Sequence, residues 1–175
     1  YDRFFPDTLT NKGSGKNIGA EITIEKFFSK NFFFMITASV FDSKYKGSDG
    51  IERNTDFNGT FALNGLLAKE FKVGRNKNSV LTTGTKITYS GGRRYTPADT
   101  AASALTEELI GIDSLRNTKQ FKNYFRWDIK VGFRANRKKV THEIGLDIVN
   151  ILNTKNVLSL TYAPNPKNPA EVIRE

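Results

Sequence analysis

The sequence predicts an all-β protein in which long strands follow one another as an antiparallel meander. Most segments alternate apolar and polar residues with a period of two, which is the spacing of a strand. The chain is lean in apolar residues, at 38%, yet 12% of its residues are aromatic, and sheets favour aromatic residues. Short and long connections alternate along the chain. Together these observations favour a series of strands in which tight turns alternate with long loops.

The clearest period of two runs over residues 124–134. One parity is apolar, with Phe125, Trp127, Ile129, Val131 and Phe133. The other parity holds Arg126, Asp128, Lys130, Gly132 and Arg134. The segment has the ~9–11 residues that a tilted strand needs to cross a bilayer. It therefore predicts a transmembrane strand whose apolar parity faces lipid and whose charged parity faces the interior of a barrel.

The other strands are predicted from the same alternation. A first strand over residues 17–28 carries Ile18, Ala20, Ile22 and Ile24 on one face. A second, over 32–45, carries Phe32, Phe34, Ile36, Ala38 and Val40. A third, over 57–71, carries Phe61, Leu63 and Leu67, and a fourth, over 80–95, carries Leu81, Ile87 and Tyr89. After the strand at 124–134, a sixth over 140–150 carries Ile144, Leu146 and Ile148, and a short seventh is expected over 157–162.

The connections between these strands alternate in length. Short turns follow the first, third and fifth strands, whereas longer segments over 46–56 and 97–118 follow the second and fourth. A helical turn is expected at 106–109, and residues 1–15 and 163–175 are expected to form loops. In an outer-membrane barrel the turns are tight on one side of the membrane and the loops are long on the other. The alternation therefore favours a partial transmembrane β-barrel over a soluble β-sandwich.

Residue counts narrow the possible chemistry. Cysteine is absent and His142 is the single histidine, so the sequence offers no thiolate site, catalytic triad or multi-histidine metal site. No catalytic residue, metal ligand or cofactor is assigned. The net charge is +9, but basic residues concentrate in the predicted turns at 72–77 and 136–139, and we expect no nucleic-acid partner. No window of about 18 apolar residues predicts a membrane helix, and residues 1–3 do not begin a signal peptide.

The number of predicted strands suggests that this chain is a piece of a larger barrel. Six or seven strands are fewer than the ~8 of the smallest single-chain outer-membrane barrels. An open sheet edge in hydrocarbon would leave backbone amide groups without partners. We therefore expect the remaining strands to come from a longer parent chain.

Four segments together resemble the last third of the barrel of a TonB-dependent outer-membrane receptor. They are YDRFFPDTLTNKG at residues 1–13, FDSKYKGSDG at 41–50, GGRRYTP at 91–97 and DIVNILNTKN at 147–156. The last is similar to the penultimate-strand segment of that family, in which Asn150 and Asn153 match recurring asparagines. The resemblance covers nearly the whole chain, and it is carried by the order of the four segments rather than by one motif.

The resemblance implies a barrel of 22 strands in the cell outer membrane of a Gram-negative bacterium, plugged by an N-terminal domain of the same parent chain. Such a receptor imports a scarce ligand with energy from the TonB complex of the inner membrane, and it is not an enzyme. Residues 1–175 would be the C-terminal segment of the barrel, without the plug and without the aromatic-ended closing strand. The implied partners are outer-membrane lipid, the plug, the TonB complex and a small ligand, which is an iron chelate, cobalamin, an oligosaccharide or a peptide.

Five charged residues are candidates for ligand contact. Arg93 and Arg94 lie beside the longest loop, where guanidinium groups can bind an anion through two parallel hydrogen bonds, although simple solvation at the rim of the barrel is the simpler role. Arg126, Asp128 and Lys130 are expected to line the lumen, where ion pairing among themselves, with neighbouring strands or with the plug is the simpler role. Two other functions remain open from the residues alone: a soluble or surface-exposed β-sandwich binding module, and an outer-membrane barrel enzyme.

Overall fold

The computed structural model describes residues 12–165 and 173–174, and these form an antiparallel meander with one short α-helix. The main sheet contains β1 (Ser14–Ser29), β2 (Phe32–Lys46), β3 (Glu52–Asn54), β4 (Phe61–Val73), β5 (Ser79–Ser90), β8 (Tyr124–Asn136) and β9 (Thr141–Ile148). Its order is β1-β2-β4-β5-β8-β9, with β3 paired to β2. The predicted all-β meander is confirmed. Within the described residues the sheet is open, and β1 and β9 are its edges.

The long strands agree closely with the sequence prediction. The six strands of the meander begin and end within a few residues of the predicted bounds, apart from β4 and β5. The pattern predicts the third strand from residue 57, whereas β4 begins at Phe61; it predicts the fourth strand to residue 95, whereas β5 ends at Ser90. Both differences lie at the end of the sheet that carries the long connections. Here the chain leaves the sheet to pack against other loops.

The short turns have the backbone geometry that hairpins require. Ser29 pairs with Phe32, and the two residues between them, Lys30 and Asn31, both have positive φ, of 51° and 60°. This is the type I′ pattern, whose twist matches that of the flanking strands. The turn at 74–78 begins with Gly74 at a φ of 88°, and the turn at 137–140 joins β8 to β9. All three short turns therefore lie at the same end of the sheet, which we name the turn end.

The opposite end, the loop end, holds the long connections. Between β5 and β8 lie β6 (Arg94–Tyr95), α1 (Thr100–Thr106), a 3₁₀ turn (Asp113–Leu115) and β7 (Lys119–Gln120), and β6 pairs with β7. The predicted helical turn at 106–109 is misplaced. The helix begins earlier because the Asp99 side chain caps it by accepting a hydrogen bond from the Ala102 N–H at 3.0 Å, and it ends at Glu107 in the left-handed region.

The segment after β9 departs most from the prediction. The expected seventh strand at 157–162 is reduced to β10 (Thr161–Tyr162), which pairs with β11 (Ile173–Arg174) in a separate two-stranded sheet. The expected C-terminal loop over 163–175 is therefore wrong at Ile173 and Arg174, and its residues 166–172 and 175 lie outside the described part of the chain. Of the expected N-terminal loop over 1–15, residues 1–11 also lie outside it, and Ser14 and Gly15 already belong to β1.

The two faces of the sheet differ sharply in polarity. Residues opposite one another in antiparallel strands share a face, so the register defines rows that cross the sheet. One row is apolar in four of its six positions and consists of Lys26, Phe34, Leu67, Thr85, Ile129 and Ile148. A row on the opposite face is polar throughout and consists of Thr23, Thr37, Asn64, Thr88 and Arg126. We call these the apolar face and the polar face; the polar face has large apolar exceptions at Phe33, Met35, Phe41, Leu66 and Val80.

Side-chain burial is concentrated away from the middle of the sheet. Among the described residues, the buried side chains are those of Asn58, Ser103, Asn117, Phe121 and Ala135, and all but Ala135 lie in the long connections, as do the buried glycines Gly59 and Gly92. The apolar face, by contrast, exposes large side chains such as Ile144, at 73%. An exposed apolar area of this extent on one face marks a surface that another molecule or phase covers.

Candidate functional site

The loop end is organised around the buried side chain of Asn58, which is 1% exposed. Its Nδ2 donates to Asp42 Oδ1 and to Asn54 Oδ1, both at 2.8 Å. Its backbone carbonyl accepts from Arg94 Nε at 3.1 Å. Asn58 thus joins the end of β2, the connection that follows β2 and the connection that follows β5. Because the Asn58 side chain itself is buried, losing its amide would remove the donor that Asp42 and Asn54 share.

Asn117 joins the two long connections from the other side. Its Nδ2 donates to the Asn54 carbonyl at 2.9 Å and to Asp56 Oδ1 at 2.7 Å, and its backbone N–H donates to Thr96 Oγ1 at 3.2 Å. The first two bonds join residues that are about sixty positions apart in the chain. Asn117 is 7% exposed and has a positive φ of 56°, a conformation in which asparagine is enriched. The loops are therefore a single hydrogen-bonded structure.

Backbone segments pass each other closely beneath these side chains. A Cβ built at Gly91 would collide with the Gly59 carbonyl oxygen, and one at Gly92 would collide with that of Phe121. Only glycine fits at either position without moving the backbone. Gln120 Nε2 donates to the Gly92 carbonyl at 3.0 Å. Gly91, at the end of a strand that the sequence marks, is thus one point where the two long connections touch, and Gly92 is where the second connection passes its own return toward β8.

A cleft of about 330 Å³ opens beside this structure. Its charged and polar lining includes Asp56, Arg93, Arg94, Arg116 and Asn117. Its apolar lining includes Tyr95, Leu109, Phe121, Leu158 and Leu160. Tyr95 and Phe121 are stacked with their ring centroids 4.2 Å apart and an angle of 17° between planes. Arg93 and Arg94, which the sequence indicates as candidates for ligand contact, therefore line one common cleft.

The first long connection carries an ion pair of its own. Arg53 Nη2 lies 2.6 Å from Asp49 Oδ2, and the Ile51 N–H donates to Asp49 Oδ1 at 3.0 Å. The guanidinium of Arg53 and, second, this N–H stabilise the carboxylate and lower the pKa of Asp49 to about 2. The pair closes the tip of the connection between β2 and β3. Arg53 also lines a neighbouring cleft with Asp113 and Arg116.

Arg126, Asp128 and Lys130 lie elsewhere, on the polar face of β8. Arg126 Nε and Nη2 donate to the Asp128 carboxylate at 2.9 and 2.7 Å, and Asp128 Oδ1 also accepts from the Asn150 N–H at 2.9 Å. Lys130 Nζ lies 3.5 Å from Asp147 on β9. Neighbouring charges on this face are thus paired with one another. The five candidate residues therefore separate into an arginine pair in the cleft and an ion-paired set on the sheet.

Phe125, Trp127, Ile129, Val131 and Phe133 share the apolar face of β8. The indole Nε1 of Trp127 donates to Thr85 Oγ1 at 2.6 Å, and the same hydroxyl donates to the Asp128 carbonyl at 3.2 Å. Two polar side-chain groups on this face are therefore bonded within the sheet. Such internal bonding is required of any polar group that contacts hydrocarbon.

Aromatic rings border the apolar face at both ends. Near the loop end, Phe61, Tyr89 and Phe125 form a row with centroid separations of 5.3 and 6.3 Å. Near the turn end, aromatic side chains lie on β2, β4 and β8, namely Phe32, Phe71 and Phe133. Two lysines on the apolar face lie at the turn end as well, with Lys26 Nζ 5.3 Å from the Phe32 ring centroid and Lys69 Nζ 5.1 Å from that of Phe71.

Several residues of the loop end are not singled out by sequence reasoning. Asn58, Asp56, Arg116, Asn117 and Phe121 become significant only when the two long connections meet. The Asn58-Gly59 dipeptide is a turn signal that argues against a strand beginning at residue 57. Arg116 and Asn117 carry no comparable local signal, because their partners are distant in sequence.

Metal sites and membrane-spanning helices are both absent from the part of the chain that the structure describes. Across residues 12–165 and 173–174, no three His, Cys, Asp or Glu side chains are grouped so as to hold a metal ion. No helix in that part of the chain has the length and apolar character needed to cross a membrane.

Comparison of the chain with protein-family models, with curated proteins and with solved structures gives no match. The case for a function therefore rests on the chain's own residues.

Proposed function

We propose that this chain is part of the barrel of a TonB-dependent outer-membrane receptor, a non-enzymatic importer of a scarce small ligand. The observation that carries the proposal is the exposed apolar face, which has a row of aromatic rings at the loop end and aromatic side chains on three strands at the turn end. Outer-membrane barrels present an apolar band to lipid with aromatic girdles at the two interfaces. A soluble protein would instead have to cover the same face with a second layer.

The distance between the aromatic side chains at the two ends of the apolar face supports a membrane role. Phe133 follows Phe125 by eight residues on β8, which corresponds to about 27 Å along a strand. A strand tilted by about 40° would then span about 21 Å of depth, close to the ~25 Å of a typical apolar band. Lys26 and Lys69 stand at the turn-end border of the face, where long basic side chains reach from an apolar surface to water.

The polar face and the loop end fit the other parts of a receptor. The ion-paired set around Arg126 and Asp128 would line the lumen and meet the plug domain of the parent chain. The edge strands β1 and β9 would pair with further strands of a 22-stranded barrel, because unpaired amide groups are costly in hydrocarbon. The loop end would face the exterior and receive the ligand, and the TonB complex would supply energy for uptake.

The first test is the cellular location and gel mobility of the intact parent polypeptide. We expect it in the outer-membrane fraction, migrating faster in unboiled than in boiled samples. A soluble polypeptide with ordinary mobility would contradict the proposal and would make the apolar face the core of a β-sandwich binding module.

The second test asks which face contacts lipid. Ile144 and Glu143 are neighbours on β9 whose side chains lie on opposite faces, so Ile144→Cys and Glu143→Cys form a matched pair in a background without other cysteines. Each is labelled with a fluorophore and reconstituted with lipids brominated on the acyl chains. We expect strong quenching at position 144 and weak quenching at 143. Equal quenching would contradict the assignment of the faces.

A further inference from the structure

We propose that the cleft lined by Arg93, Arg94 and Arg116 binds the anionic group of an organic ligand, a carboxylate or phosphate carried on an apolar body. The proposal specifies the class of ligand for the receptor proposed above, and the biological role of the cleft rests on that receptor function. Binding itself is a property of the cleft. It can therefore be measured on purified protein, independently of where the protein resides or whether it transports anything.

Charge is the first argument. Three guanidinium groups and one carboxylate, that of Asp56, line the cleft, and Asp56 Oδ1 already accepts from Asn117 Nδ2 at 2.7 Å. Among the described residues, none of the three guanidinium groups has a carboxylate oxygen within 4.0 Å. Other arginines of the chain, such as Arg53, do have one. The cleft thus holds positive charge that nearby carboxylates do not neutralise.

Preorganisation is the second argument. Arg94 is held by its Nε bond to the Asn58 carbonyl and by its backbone N–H, which donates to the Asp56 carbonyl at 2.9 Å. The Arg93 guanidinium carbon lies 4.7 Å from the centroid of the Phe57 ring, and its buried Nε has no hydrogen-bond acceptor among the described residues. Guanidinium groups held in place lose less freedom when they bind an anion, which increases affinity.

The apolar lining is the third argument. The stacked Tyr95 and Phe121 rings, with Leu109, Leu158 and Leu160, form the rest of the wall. Small-molecule sites typically combine an apolar lining with a few polar groups that fix orientation, at volumes from about 300 Å³. A bare inorganic anion would leave this apolar wall unused. The cleft therefore fits an anion attached to a small ring or a short hydrocarbon chain.

The test uses 4-fluorobenzoate and its neutral counterpart 4-fluorobenzamide as probes of the purified full-length polypeptide. Binding is followed through the ¹⁹F linewidth of each probe at increasing concentration. We expect saturable binding of the carboxylate, weakening with added salt because the interaction is ionic, and at least tenfold weaker binding of the amide. Equal binding of both probes, or no saturable binding of either, would overturn the proposal.

Variants locate the binding in the cleft. Arg116 is exposed and its side chain forms no hydrogen bond in the described part of the chain, so Arg116→Gln should remove charge without disturbing the loops. Loss of one charge-assisted bidentate contact predicts about tenfold weaker binding of 4-fluorobenzoate or more. Lys122→Gln is the control, since Lys122 lies in the same connection but does not line the cleft. Unchanged binding in Arg116→Gln, or equal weakening in both variants, would show that the cleft is not the site.

These measurements separate the two proposals. If 4-fluorobenzoate binds as expected and the protein is not in the outer membrane, the anion site stands and the receptor function fails. If the protein is an outer-membrane barrel and the probes bind equally or not at all, the receptor function stands and the ligand class is wrong.

Discussion

The side-chain amide of Asn156 takes the place of a neighbouring strand for Phe125. Its Oδ1 accepts from the Phe125 N–H at 3.0 Å, and its Nδ2 donates to the Phe125 carbonyl at 2.9 Å. These are the two backbone groups that a strand partner would satisfy, but β9 pairs with β8 only as far as Ile129. One asparagine thus continues the hydrogen bonding of β8 after β9 has ended.

Asn156→Ala should destabilise the folded protein measurably. It leaves the N–H and the carbonyl of Phe125 without these partners in a half-buried position, and we expect a loss of about 1–3 kcal/mol in the free energy of unfolding. Denaturant unfolding of the full-length polypeptide in detergent or lipid measures it. Lys155→Ala, a change at the exposed neighbouring residue, is the control and should have little effect. Equal stability of the two variants would show that the Asn156 bonds contribute nothing.

Asn58 should be more sensitive to substitution than any exposed asparagine. Asn58→Ala removes the donor to both Asp42 and Asn54, and we expect a cost of about 1–3 kcal/mol. Asn58→Asp should cost more, because it replaces the donor to Asp42 with a second carboxylate whose own side chain is buried.

Loop order and unfolding free energy together test this prediction. The 47–60 connection should become susceptible to protease in both Asn58 variants, since its anchor to the end of β2 is lost. Asn76→Ala, in the exposed turn between β4 and β5, provides the comparison. Stability ordered as wild type, then Asn58→Asp, then Asn58→Ala would contradict the electrostatic part of the argument.

The sheet could be predicted from the sequence because its signal is local. An alternation such as that of Phe125 to Phe133 depends only on neighbours along one strand, and the short turns carry their own residues with positive φ, such as Asn31. The two faces of β8 can therefore be assigned from its own sequence, without knowing how β8 pairs with its neighbours. The loops carry no such pattern. Asn54 and Asn117 are 63 positions apart in the chain and hydrogen-bonded to each other. No local pattern around either residue predicts this pairing.

The displaced start of β4 has the same origin only in part. The alternation allows a strand from residue 57, but the Asn58-Gly59 turn signal opposes it, and the chain turns before Phe61 so that Asn58 contacts Asp42. The helical turn was misplaced although a local signal for its start existed, because Asp99 before a run of small residues is an N-cap. The sequence indicated two of the three arginines that line the cleft. Arg93 and Arg94 are adjacent in sequence, whereas Arg116 joins them only through the folding of the loop.

The 47–53 loop tip should lose order at low pH because of Asp49. Its folded-state pKa of about 2 lies below the ordinary aspartate pKa of about 3.9, so the carboxylate favours the folded loop. That stabilisation is fully present above the unfolded pKa and disappears as the pH falls from about 4 through 2. Pepsin cleavage of the loop should rise across this window in the wild type.

Asp49→Asn identifies the carboxylate responsible for the transition. The variant should be cleaved readily already at pH 4 and should show a smaller further rise toward pH 2, because its side chain does not titrate. Glu108→Gln, in the other long connection, should behave like the wild type. A wild-type loop whose cleavage does not change between pH 4 and 2 would contradict the role of the Asp49–Arg53 pair.

Ile129→Arg should be the most informative change on the apolar face. Ile129 lies on β8 midway between Phe125 and Phe133, and a charge at the bilayer midplane of a barrel costs about 2–4 kcal/mol. Thr82→Arg is the matched control, because Thr82 lies on the polar face of β5 opposite Gly132. The free energy of unfolding of the full-length polypeptide in lipid should fall for Ile129→Arg and change little for Thr82→Arg.

The dependence of the cost on depth distinguishes a bilayer from a protein core. Phe133 lies near the turn-end border of the apolar face, so the charge introduced by Phe133→Arg should cost only about 0–1 kcal/mol. The separate cost of losing the ring is measured with Phe133→Leu. A charge penalty as large at position 133 as at 129 would indicate a packed second layer rather than a bilayer.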